Sequence, residues 1–129
     1  MAEAFGRTTV KIDDIVTSDD LRLLADIGFM ASSRGRGEQA DTIFAAIRAL
    51  RPEEEAGFVG GAIVGILAGD PDAAIRALKD APTTVATQTF RGIALVLSGR
   101  TSEGRETLKG VVQAAPDTSF ARLAQNAMS

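Results

Sequence analysis

The chain has 129 residues, 45% of them hydrophobic, and a mean hydropathy of +0.09, which suits one domain with a sizeable core and excludes a disordered polymer. Its 14 Lys and Arg against 17 Asp and Glu leave a net charge of −3 with no basic run, so nucleic-acid and anionic-membrane partners are disfavoured. Zero Cys and zero His exclude disulfides and thiolate nucleophiles, and remove the usual general base and the commonest metal ligand.

Residues 1–17 are expected to form an N-terminal arm or short helix. Thr8 to Val16 begin β-prone and then place Ile12, Ile15 and Val16 near helical spacing, and a loosely ordered terminus is the other reading. Met1 to Asp13 lack a basic segment followed by an apolar one, so no secretory signal is expected and the cytoplasm is the expected location. No apolar run is long enough to span a bilayer.

Beyond the arm every local signal is helical. Leu21, Leu24, Gly28 and Ala31 recur at helical spacing behind Thr17 and Asp20, which fit a capping box. Helices are predicted over about 20–34, 37–51, 55–68, 71–81, 84–98 and 102–114, with a closing helix at 118–128. Asp70-Pro71 gives the fourth an N-cap carboxylate and a proline where no amide partner is needed. Ser102 is expected to cap the sixth, and Asp117 or Ser119 the last, which carries Phe120, Leu123 and Met128.

These helices repeat. Gly35 and Gly69 lie 34 residues apart, and Gly69 and Gly99 lie 30 apart, as if four residues were lost from one linker. Within each copy a small residue precedes the glycine by seven (Gly28, Ala62, Gly92), and another follows it by five (Ala40, Ala74, Gly104). The mechanical reading is a first helix that approaches its partner closely, a left-handed glycine that ends it, and a second helix that folds back.

A helix-turn-helix period of 34 with these positions resembles the tetratricopeptide repeat over about residues 20–117. Copy one carries Leu24, Ile27, Gly28, Gly35, Ala40, Phe44 and Pro52. Copy two carries Phe58, Ala62, Gly69, Ala74, Leu78 and Ala81, and copy three Gly92, Leu95, Gly99, Leu108 and Pro116. Ala31 stands where a large aromatic is usual, copy two lacks the final proline, and Gly65 and Gly104 depart from the preferred types. The resemblance implies an all-α, right-handed superhelix of about three helix pairs, with repeats at about 20–53, 54–83 and 84–117 and the closing helix at 118–128, all within a domain spanning 18–129. The size, the three degenerate repeats and the closing helix also resemble small bacterial type III secretion chaperones of the needle-subunit and Hrp type. The stretches concerned are Leu24 to Gly28, Ala94 to Gly99 and Phe120 to Met128.

The resemblance implies a concave surface lined by the first helices, at Arg22, Ala25, Phe29 and Ser32, then Val59, Ile63 and Ile66, then Thr89, Ile93 and Val96. Phe29, Val59, Ile63, Ile66, Ile93 and Val96 are the expected partner-binding residues, because an apolar groove suits the apolar face of an amphipathic helix. The same stripe is open to two other readings: ordinary core, or an interface with a second copy of the chain. A peptide-carboxylate clamp of the kind found in this repeat family is not expected, since Ala25, Phe29, Val59 and Ile63 stand where Lys, Asn and Arg are needed.

Gly60 to Gly65 lack the Lys and Ser/Thr of a phosphate loop and read as close helix packing. The acidic pairs Asp13-Asp14 and Asp19-Asp20 and the run Glu53 to Glu55 flank helix starts, where each carboxylate is worth roughly 0.3–1 kcal/mol. Arg34 and Arg36 read as a solvated turn. With no His, Cys or Tyr and no paired carboxylates or Ser–Lys spacing, neither enzyme activity, a metal site nor a cofactor is expected. The expected function is protein binding, as a secretion chaperone that covers a partner's amphipathic helix. The alternative is a self-assembling scaffold whose apolar face joins copies.

Overall fold

In the computed structural model, which describes residues 15–129, seven helices follow one another from Ser18 and the described residues contain no strand. They are α1 (Ser18–Ser33), α2 (Gly37–Leu50), α3 (Ala56–Leu67), α4 (Pro71–Ala77), α5 (Val85–Leu97), α6 (Thr101–Ala114) and α7 (Ser119–Met128). The expected arm lies outside the described residues up to position 14.

Local chemistry sets the helix ends. Thr17 and Asp20 form the expected capping box: the Asp20 amide donates to Thr17 Oγ1 at 3.1 Å, and the Thr17 amide donates to Asp20 Oδ2 at 2.9 Å. Asp70 Oδ1 accepts from the Ala73 amide at 3.1 Å in front of Pro71. Gly35, Gly69 and Gly99 have φ of 75°, 74° and 94°, the left-handed turn that an L side chain resists. The next amide in each case, at Arg36, Asp70 or Arg100, reaches back to Ala31, Gly65 or Leu95 at 2.8–2.9 Å. Three helices thus end in one repeated motif.

Three expected details differ. The fourth helix stops at Ala77 rather than about 81, because Pro82 disfavours helical geometry at Ala81, and the chain leaves through Asp80 at φ 62°. Ser102 does not cap the sixth helix, which starts behind Arg100 with no side-chain cap. The last helix is capped by Thr118, whose Oγ1 accepts from the Ala121 amide at 3.2 Å, and by neither Asp117 nor Ser119.

The helices pair in sequence, α1 with α2, α3 with α4 and α5 with α6, while α7 lies on both α5 and α6. Consecutive pairs meet through α2–α3 and α4–α5, and the first helices also touch along the row α1–α3–α5–α7. Three apolar clusters fill the stack, around Phe44 and Ile47, around Phe58 and Leu78, and around Leu108 and Val111. Phe44 is fully buried and serves two helices at once. A Cβ at Gly28 would come within 2.8 Å of its ring, and one at Gly60 would strike the same ring. The third pair is equally close, since a Cβ at Gly92 would lie 2.6 Å from the Leu108 side chain.

Arginines stitch the pairs together. Arg48 on α2 donates to the Gly57 carbonyl on α3 at 3.2 Å, and Arg91 on α5 donates to the Leu78 carbonyl behind α4 at 2.9 Å. Arg105 on α6 donates to the Met128 carbonyl at the end of α7 at 2.6 Å. Burial pushes the Arg48 guanidinium below its ordinary value, with Asp41 pulling it partly back, yet a guanidinium starts so high that it keeps its charge. Buried Arg51 fixes the chain before α1 by donating to the Val16 carbonyl at 2.8 Å.

Candidate functional site

Helix α3 is apolar throughout, and its neighbours bury most of it: Gly57, Phe58, Gly60, Gly61, Ala62, Val64 and Gly65 are all inside. Glycines permit this burial. A Cβ at Gly57 would lie 2.6 Å from the Arg48 amide nitrogen, and one at Gly65 would lie 2.7 Å from that of Ala74. The expected close packing of Gly60 to Gly65 is what the structure shows.

What α3 leaves over is one stripe at positions i, i+4, i+7 and i+8. Val59, Ile63 and Ile66 are half-buried along it, and Leu67 at its end is 70% exposed. Ile66 also packs on the second cluster, whereas Val59 and Ile63 belong to none of the three. On α5, Phe90 packs on the same cluster as Ile66, Ile93 is half-buried against the third cluster, and Leu97 is 56% exposed. Between α1 and the start of α3 lies a cleft of about 350 Å³, with Arg22, Ala25, Glu54 and Ala56 in its lining and no residue of the stripe.

The six expected binding residues are therefore not equivalent. Val59, Ile63 and Ile66 share the stripe. Phe29 is exposed on α1 with its ring tilted 55° against Phe44 at a centroid separation of 4.8 Å, so it leans on its own partner helix. Ile93 and Val96 are half-buried against the third cluster, and a Cβ at Gly104 of α6 would lie 2.7 Å from Val96 Cγ2. Among the flanking positions Thr89 is not groove-facing: it is fully buried, and its hydroxyl donates to the Val85 carbonyl at 2.7 Å. The family spacing carries Val59 onto Thr89, but α5 is turned so that this position faces its neighbours.

Leu67 and Leu97 were missing from the expected set. They occupy one repeat position, 30 residues apart, at the last turn of α3 and α5. Their four-residue spacing from Ile63 and Ile93 was the available signal. Elsewhere, no three His, Cys, Asp or Glu side chains among the described residues gather in a way that could hold a metal ion. Among the same residues no helix is long and apolar enough to cross a membrane. A partly exposed, helix-spaced apolar stripe of Val59, Ile63, Ile66 and Leu67 can bury the apolar face of another helix, and these four side chains carry no acid or base. No family model matches the chain, and neither a curated protein nor a solved structure does.

Proposed function

We propose that the chain is a non-enzymatic protein-binding module: three tetratricopeptide-like helix pairs wound as a right-handed superhelix, closed by α7, with a concave face that holds a partner's amphipathic helix. The row of first helices from α1 to α7 supports that architecture. The observation that carries the binding role is the stripe Val59, Ile63, Ile66 and Leu67, left open on a helix that is otherwise buried. On this reading the protein works in the cytoplasm as a chaperone of the type III secretion kind. It covers a helix that would otherwise drive its owner to polymerise and releases that subunit at handover. Phe29, Ile93 and Val96 then support the groove walls, and the anchors are Val59, Ile63 and Ile66.

The test is capture from the native lysate with wild type and Ile63→Asp side by side, followed by titration of the purified partner. A small helical protein held by wild type should bind Ile63→Asp more than about tenfold less tightly, equivalent to about 1.4 kcal/mol. Equal affinity for a variant of unchanged helicity overturns the groove.

A further inference from the structure

The row of first helices has two ends, and they are finished differently. Helix α7 closes one end, presenting Arg122, Gln125 and Asn126 outward with the single large apolar side chain Leu123, 41% exposed, among them. At the other end α1 buries only Leu21 and Gly28, and turns Leu23, Ile27 and Met30 outward at 60%, 44% and 51% exposure. Positions i, i+4 and i+7 lie along a single line on the helix, opposite the face that meets α2 and α3. This stripe is separate from the groove, which faces sideways along the row.

We propose that this stripe is the contact between two copies of the chain, with α1 packed antiparallel on α1 about a two-fold axis near Ile27. Charge selects that occupant. The first turn of α1 is acidic, with Asp19 and Asp20 and with Asp19 lying 3.7 Å from Arg22, while the turn that ends the helix is basic, with exposed Arg34 and Arg36. An antiparallel copy places the acidic end of each helix beside the basic end of the other, opposes the helix dipoles, and sets Leu23 of each copy near Met30 of the other. A parallel pairing would set like charges together. Head-to-tail stacking would set the three apolar side chains of the stripe against an α7 face that answers with Leu123 alone among Arg122, Gln125 and Asn126. The interface is isologous, so assembly stops at two and leaves both grooves free. It holds whether or not the groove binds a helix.

Light scattering on the full chain across a dilution series reads this directly. The expected mass rises with concentration to twice 13.4 kDa, and added salt shifts the transition to higher concentration. Ile27→Asp and, independently, Leu23→Lys should each raise the dissociation constant more than about tenfold at unchanged helicity. The chain lacks cysteine, so Ile27→Cys supplies a positional readout: it should oxidise to a covalent dimer near the axis, while Leu67→Cys, on the groove stripe, should not. A wild type that stays monomeric, as it would if the stripe were covered by its own residues 1–14 or reserved for another protein, overturns the proposal. So does a dimer unaffected by either α1 variant, or one that cross-links as readily at position 67.

Discussion

Helices α1 and α7 occupy the two ends of one row and are built on opposite plans. Helix α7 spends its small residues inward, burying Ala121 and Ala124 against α5 and α6, and shows solvent a largely polar back. Helix α1 buries Leu21 and Gly28, packs Leu24, Ala25 and Ala31 beside them, and leaves Leu23, Ile27, Phe29 and Met30 exposed. The contrast is the observation on which the proposed contact between two copies rests.

The largest expected effect comes from the two buried anchors. Phe44→Ala empties the space between Gly28 and Gly60 and should cost about 3–5 kcal/mol, and Leu108→Ala should cost about 2–5 kcal/mol in the third pair. Hydrogen exchange tells more than the total, because a row of repeats loses structure locally. Phe44→Ala should expose α1 and α2 first, Leu108→Ala should expose α5 to α7, and equal loss everywhere in both would mean that the ends are not independent. Next come the two terminal caps. Thr17→Ala and Thr118→Ala should each cost about 1 kcal/mol in chemical denaturation, through loss of one hydroxyl acceptor each. The smallest effect has the opposite sign. Gly110 is exposed inside α6 with nothing near its missing Cβ, so Gly110→Ala should raise the melting temperature through a gain of about 0.5–1 kcal/mol.

Much of the helical order was legible in the sequence because it rests on few atoms. Gly35, Gly69 and Gly99 announce their turns by spacing alone, and Thr17 with Asp20 announces a helix start, since each acts on backbone within a few residues. The candidate site was less legible. Spacing placed Val59, Ile63 and Ile66 on one face, yet it could not show that Thr89 and Val96 turn toward neighbouring helices, because the roll of α5 depends on how Gly92 seats on Leu108. The stripe on α1 was hidden for a similar reason. Leu23, Ile27 and Met30 look like core until the structure shows that none of the six other described helices covers them.

The arginine ties carry a consequence for how such a chain can change over time. Each junction along the stack is crossed by one guanidinium, from Arg48, Arg91 or Arg105, and in every case the acceptor is a main-chain carbonyl, at Gly57, Leu78 or Met128. A carbonyl is kept when the side chain at Leu78 or Met128 changes, whereas at Gly57 any side chain would strike Arg48 itself. The ties beyond α4 and at the end of α7 therefore constrain only the arginine that donates, while the tie between α2 and α3 constrains both of its residues.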